Sequence, residues 1–366
     1  MNEKTIFIFD AEEGMRISQD VILPDGNILV KKGTALDMNL ISTISGYHIL
    51  EINVYDEVAE NYDANYSASS SLGESEQYYD KIRNSKEFEI FNESYKANVD
   101  MVKQQLNHVV TTGAPIDPDE LLKGTMKIVA TNTNSLQLFD MLHVMRHMDD
   151  LTYVHSINVA LISSVIGKLM NYSEEEIKLL TLCGLLHDIG KLLIPDEILN
   201  KPGKLTDNEY AIMKKHVNLG YEQLKTQNLD IRIKEVSLLH HEKCDGTGYP
   251  FGLKSKDIPA CAKIVTIADV YDAMTANRVY RGSICPFEVI DIMQADAFTK
   301  YDPIYIIPFL KKVAGSYIHT DVKLSDGRTG KVILINDNAL HKPSVLVGNE
   351  LIDLSKKKDL KIISML

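Results

Sequence analysis

Cysteine is sparse and unpatterned. Cys183, Cys244, Cys261 and Cys285 form no CxxC pair, which excludes a disulfide framework and argues against a zinc-thiolate site. Four reduced, mostly buried thiols are expected. Basic charge is also short. Against 51 Asp and Glu stand 39 Lys and Arg, a net charge of −12, so the electrostatic footprint of a duplex nucleic-acid binder is missing. Local phosphate contacts through a few arginines, lysines or metals stay open. No apolar run reaches the length of a membrane span, and residues 1–20 carry DAEE where a secretory leader would be cationic and apolar. A cytoplasmic protein is expected. What remains, 366 residues with 45% apolar and 25% charged, suits a soluble globular protein of one large domain or two to three smaller ones.

Four regions follow from the patterning. Residues 1–58 read as a small β-containing unit: KTIFIF is apolar and β-branched, and DVILPDGNILV sets two short apolar runs around Asp25-Gly26, a hairpin signal. The opening IFIFDAEEG has a faint likeness to a receiver domain, but a hairpin follows where a helix belongs and no phosphoacceptor strand end is evident. Residues 59–80 are polar and Ser-rich, a flexible linker. Helical periodicity runs through 81–315, with a capping-box pattern at Ser173 and Glu176 opening SEEEIKLLTLCGLLHDIG. Residues 316–366 return to strands, with a turn at Asp326-Gly327 and the runs SVLVG and LKIISM. The expected fold is mainly α: an all-helical domain, a small β-rich N-terminal unit and a short β-rich C-terminal tail.

The histidines carry the chemistry. Five fall between 155 and 241: His155 opening HSINVALISSVIGKLM, His187 in LLHDIGK, His216 in YAIMKKHVNLG, and the adjacent pair His240 and His241 in HHEKCDGTGYP. Asp188 follows His187, and Asp269 lies in the apolar helix KIVTIADVYDAM. Any one of these is more often a structural residue than a ligand. Together they are harder to dismiss, because buried polar groups need partners and imidazole with carboxylate is a ligand set for borderline divalent metals. On a helix, neighbouring side chains point about 100° apart, so one ion does not easily take both His240 and His241. Either one is incidental or the site holds more than one ion. Asp188, with two oxygens, can bridge two ions, with His240 and His241 completing the second or beginning a third. His143 and His147 in HVMRH also have chelating spacing, but no glutamate completes an HExxH motif and both precede the cluster.

HDIGK at 187–191 together with HHEKCDGTGYP at 240–250 resembles the HD-GYP family, HD-superfamily phosphohydrolases that hydrolyse cyclic di-GMP. The resemblance spans 147–314 and includes HSINVA, ADVYDAMT, RVYR at 278–281 and YDP at 301–303. The stretch GMRISQDVILPDGNILVKKGTAL is similar to a unit that often precedes such domains. The resemblance implies an all-helical HD-type domain with metal ligands His155, His187, Asp188, His216, His240, His241 and Asp269. It makes Asp188 and Lys191 catalytic, gives phosphate or guanine contacts to Lys191, Arg278 and Arg281, and forms the loop from Gly246, Gly248, Tyr249 and Pro250. Two positions depart from the family pattern. Leu151 stands where some members carry a glutamate ligand, which favours two ions over three, and Lys263 replaces the usual arginine.

The activity implied is hydrolysis of cyclic di-GMP to pGpG, with GMP as a further product left open. The attacking group would be a hydroxide bridging two divalent ions, Fe or Mn in preference to Zn on the all-N/O ligand set. A catalytically weak cyclic di-GMP-binding signalling module, or an HD hydrolase of another cyclic dinucleotide, is the alternative. A homodimer or a signalling-protein partner stays open.

Overall fold

The computed structural model describes every residue except 1–2, 8–10, 12, 23–27, 38–39, 42–43, 45–48, 50, 56–77, 132–134, 146–150, 202–204, 276–284 and 358. It divides into two compact units, Met1–Ser67 with Pro195–Met213, and Ala68–Ile194 with Lys214–Leu366. In the first, β1 (Glu3–Phe7) pairs antiparallel with β4 (Glu51–Tyr55), placing Ile6 opposite Ile52. The strands β2 (Val21–Ile22) and β3 (Ile28–Val30) also pair antiparallel. The Asp25-Gly26 turn expected between them lies outside the described residues, as do residues 59–77 of the expected linker. Ile6, Ile17, Val21, Val30, Ile52 and Val54 form a core of this unit's own.

The second unit contains the long helix α1 (Lys86–Thr112), capped at both ends. Ser85 accepts a hydrogen bond from the Phe88 N–H, and Gly113, at φ 70°, returns its N–H to the Val109 carbonyl. Phe88, Phe91, Tyr95, Val99, Val102, Leu106 and Val109 recur every three or four residues and are buried. After α2 (Pro118–Thr131) and α3 (Ser135–Met145) comes α4 (Leu151–Leu169). This helix begins one turn before HSINVA, so His155 sits inside it and does not open it. Helix α5 (Glu174–Leu186) starts at Ser173, where both hydrogen bonds of the capping box are present. Gly184 lets α5 lie directly on α4, since a Cβ there would stand 2.5 Å from the Ala160 Cα. His155 on α4 and His187 at the end of α5 have ring centroids 5.3 Å apart.

Two short helices, α6 (Asp196–Leu199) and α7 (Asp207–Met213), fall in the first unit. The second unit resumes with α8 (His216–Lys225), α9 (Ile231–Leu239), α10 (Ala260–Thr275), α11 (Pro286–Ala295) and α12 (Pro303–Ser316). Among the described residues no helix is long and apolar enough to cross a membrane.

Beyond α12 the strands β5 (Asp321–Leu324), β6 (Thr329–Asn336), β7 (Ala339–Val347), β8 (Glu350–Asp353) and β9 (Ile362–Met365) form an antiparallel sheet in the order β8-β7-β6-β5-β9. The Asp326-Gly327 turn joins β5 to β6, with Gly327 at φ 88°. This sheet is more than a tail. Val322, Leu324, Val332, Leu340 and Val345 are fully buried and belong to one apolar cluster with Phe287, Phe309 and Leu310 of the helices.

Candidate metal centre

Local backbone events bring the polar residues together. Helix α5 ends at Leu186, with His187 as its C-cap, and Asp188 precedes a 3-10 turn at Ile189–Leu193. Gly190 in that turn seats it against the start of α8: a Cβ there would lie 2.0 Å from the His216 carbonyl oxygen and 2.5 Å from the Gly220 nitrogen. His216 is the first residue of α8, which places it beside Asp188. Helix α9 ends at Leu239, so His240 is its C-cap and His241 lies beyond it. The helical argument against a shared ion therefore does not apply. Their rings are 4.2 Å apart and join the same group. Thr266 on α10 fastens this end by donating to the His240 carbonyl at 2.6 Å.

Two groups of ligand atoms result, each with its atoms within 4.8 Å of one another: Asp188, His216, His240 and His241 in one, His155, His187 and Asp269 in the other. Asp188 faces both. Its Oδ1 is 3.3 Å from His216 Nε2 and 3.5 Å from His240 Nε2. Its Oδ2 is 3.2 Å from His187 Nε2 and 3.5 Å from His155 Nε2. Asp269 Oδ1 lies 3.1 Å from His155 Nε2, and its Oδ2 lies 3.9 Å from His241 Nδ1. Three imidazoles are held by Nδ1: His187 on the Gly184 carbonyl at 2.7 Å, His240 on the Val236 carbonyl at 3.1 Å, and His155 on Asp272 at 2.7 Å. Each thereby turns its Nε2 inward.

The interior of this cluster suits divalent cations. His187 Nε2 and both Asp188 oxygens are buried without a hydrogen bond of acceptable direction, a costly state for polar atoms unless a cation completes them. Lys191 Nζ makes an ion pair with Asp188 Oδ2 at 2.6 Å. His216 and His240 point Nε2 at Nε2 across 3.3 Å. Burial pushes the Asp188 and Asp269 carboxyls up, yet the electrostatic pull of His187 and Lys191 on Asp188, and the hydrogen bond to His155 at Asp269, hold both well below the usual carboxylate range. Burial holds His240 and His241 low, so both rings are neutral. Neutral imidazole and ionised carboxylate are the forms that bind metal.

The loop after His241 packs on the cluster. Gly246 takes φ 87°, and a Cβ on Gly248 would fall 2.4 Å from the Glu242 Cα and the Lys243 nitrogen. The Tyr249 ring stacks on His241 at 4.6 Å and 21°, and its peptide to Pro250 is cis. Glu242, 1% exposed, accepts the N–H groups of Phe251 at 2.7 Å and Leu253 at 2.9 Å. Lys263 pairs with Asp302 at 2.9 Å and reaches Ser255 at 3.0 Å, tying α10 to the N-cap of α12. Residues that sequence reasoning passed over are Glu242, Asn158 and Asp272. Two of them had a signal, Glu242 directly after the histidine pair and Asp272 one helical turn beyond Asp269. Arg278, Arg281, His147 and the side chain of His143 lie outside the described residues.

A family model described as an HD domain matches residues 136–304. A cyclic di-GMP phosphodiesterase of Pseudomonas aeruginosa is 37% identical over 200 residues, 54% of this chain and 48% of that protein. One of Thermotoga maritima is 38% identical over 178 residues, 48% of each. A 3′3′-cGAMP-specific phosphodiesterase of Vibrio cholerae is 39% identical over 154 residues, 42% of this chain and 30% of that protein. The chain thus spans half or less of the length of these relatives. In fold it is similar to an HDG"Y"P protein from Bdellovibrio bacteriovorus, with a TM-score of 0.50 and 16% identity over 84% of this chain and 98% of that one. The matched residues are those of an HD domain, and the HDIGK and HHEKCDGTGYP segments that resemble HD-GYP proteins supply His187, Asp188, His240 and His241 to its buried cluster.

Proposed function

We propose that this chain is a metal-dependent phosphodiesterase that hydrolyses cyclic di-GMP to pGpG. The carrying observation is the division of the Asp188 carboxylate, Oδ1 toward His216 and His240, Oδ2 toward His187 and His155. With Asp188 between them, His155, His187 and Asp269 would hold one divalent ion and His216, His240 and His241 would hold another. Two ions are favoured over three because leucine at 151 offers no ligand atom. The absence of thiolate from both groups favours Fe or Mn over Zn. When bound, such a pair lowers the pKa of a shared water and offsets charge on the phosphoryl oxygens.

The chain's own residues do the rest. Lys191 sits beside Asp188 as a compact cation for a phosphate oxygen. Arg278 and Arg281, assigned from RVYR, bind phosphate or guanine through charge-assisted hydrogen bonds. The loop at Gly246–Pro250, pinned by Glu242, shields the His241 side. Hydrolysis of 3′3′-cGAMP is the second reading, because relatives specific for that nucleotide match at comparable identity.

A turnover panel of cyclic dinucleotides, run with elemental analysis on wild type and Asp188→Asn, tests the proposal. The variant keeps the shape but removes the anion, so at least one ion should be lost. Turnover should fall by roughly 10³, about 4 kcal/mol of barrier. Full metal content with undiminished turnover in the variant would sink it.

A further inference from the structure

Two stretches that drew attention in the sequence, HSINVA and ADVYDAMT, contain buried polar residues that play no part in the phosphodiesterase reading, Asn158 at 0% exposure and Asp272 at 3%. Both belong to a hydrogen-bonded chain that ends on His155. Asp272 Oδ2 is 2.7 Å from His155 Nδ1, and Asn158 Nδ2 donates to Asp272 Oδ1 at 3.0 Å. The Tyr95 hydroxyl is 2.5 Å from Asn158 Oδ1 and 3.1 Å from the Val154 carbonyl. Tyr95 is fully buried on α1, outside the residues matched by the HD-domain model.

The chain has one sensible polarity. A phenol donates to the Asn158 oxygen, which turns the amide nitrogen toward Asp272. The reverse amide orientation would set oxygen against carboxylate oxygen. With Oδ1 engaged by Asn158, Asp272 keeps Oδ2 as the acceptor for His155 Nδ1–H. That leaves His155 Nε2 facing Asp269 and Asp188. His187 and His240 obtain the same orientation from carbonyls of their own helices. His155 obtains it from side chains of α10, α4 and α1.

We infer that Asp272, Asn158 and Tyr95 are positioning residues that fix the His155 ring with its Nδ1–H on Asp272 and its Nε2 aimed at Asp269 and Asp188, so that the His155–His187–Asp269 group can take its ion in exchange for the Nε2 proton. The inference rests on reading His155 as a metal ligand. Outer carboxylates of this kind typically contribute 10- to 100-fold in metal affinity. Nothing in the phosphodiesterase reading requires Tyr95 or α1.

The test is Mn(II) titration of the full chain, with circular dichroism to verify folding. Four variants are compared: H155A, D272N, the exchange N158D/D272N, and Y95F. D272N must turn its new –NH2 toward either His155 or Asn158, so one contact is lost. The weaker class of Mn(II) sites should lose about 10- to 100-fold in affinity, as H155A does or less. The exchange variant restores polarity. The carboxylate introduced at 158 accepts both the Tyr95 hydroxyl and the new –NH2, turning the amide oxygen at 272 back to His155. Recovery of most of the lost Mn(II) affinity is the result expected, and a merely structural role for Asp272 would not produce it. Y95F should weaken Mn(II) severalfold without changing stoichiometry.

If H155A loses an ion while folded D272N binds Mn(II) as wild type does, this inference is overturned and the metal reading stands. If H155A keeps full Mn(II) affinity, the ligand assignment fails and this inference falls with it. A folded exchange variant no better than D272N overturns control by orientation. Should the exchange variant not fold, 15N-histidine spectra of the Zn(II)-loaded D272N protein decide. An unchanged His155 Nδ1–H signal overturns the inference, and its loss or migration to Nε2 supports it.

Discussion

Tyr249 lies flat against His241, ring centroids 4.6 Å apart and planes 21° from parallel, and Lys214 Nζ sits 5.8 Å from the Tyr249 centroid on the same ring. His241 lies beyond the end of α9, and the Tyr249 ring adds a stacked face to its contacts with the His240 and His216 rings, 4.2 and 5.1 Å away. Stacked pairs contribute roughly 0.5–1.5 kcal/mol beyond burial. Tyr249→Ala should therefore weaken Mn(II) binding about two- to tenfold, whereas Tyr249→Phe retains it. Equal affinities for the two variants by calorimetric titration would remove the stacking argument.

Gly248 is the loop's narrowest point. The Cβ of Gly248→Ala would meet only backbone, the Glu242 Cα and Lys243 nitrogen at 2.4 Å and the His241 oxygen at 2.5 Å, so no flexible side chain can give way. The expected outcome is a loss of about 1–3 kcal/mol, read as a lower Tm, together with weaker metal binding as His241 is pushed aside. An unchanged melting curve and unchanged metal content would contradict it.

His155 sets a pH dependence. Burial lowers its pKa, but the hydrogen bonds it donates to Asp269 and Asp272 outweigh that and raise it to about 10. The metal-free protein therefore holds a proton there at neutral pH, and an ion arriving at Nε2 must expel it. Affinity at that group should fall as pH drops, up to about tenfold per unit below pH 10, with close to one proton released per ion. Calorimetry in buffers of different ionisation enthalpy measures the proton count; a count of zero at pH 7 would refute the assignment.

The roles proposed for Arg278 and Arg281 would separate substrate binding from metal loading. Their double alanine variant should keep full metal stoichiometry while cyclic di-GMP affinity falls, each lost contact costing on the order of 1.5–3 kcal/mol. Unchanged nucleotide affinity would move the substrate contacts elsewhere.

Local signals were legible. Ser173 and Glu176 announced the start of α5, and Asp326-Gly327 marked the β5–β6 turn, because each depends on neighbours a few residues away. The polar cluster was legible as a set of residue types. Its arrangement was less so. His240 and His241 looked awkward as joint ligands only while α9 was assumed to continue through them, and the helix stops one residue earlier. Glu242 reads as one more acid in HHEK; its engagement of Phe251 and Leu253 is a consequence of how the loop folds back. Tyr95 is separated from Asn158 by 63 positions, and nothing in its surroundings distinguishes it from the other core residues of α1. The C-terminal strands were visible as strands, but alternation does not reveal which core a buried face will join.

That shared core has a consequence for the order of events during synthesis. Residues 155–269, which carry the cluster, leave the ribosome well before 321–347. Until β5, β6 and β7 arrive, Phe287, Phe309 and Leu310 lack the partners that complete their cluster. β5 also acquires its neighbour β9 only when residues 362–365 have been made. The nascent helical region therefore passes through an interval with apolar surface uncovered, when a stalled or shortened chain is most prone to aggregate.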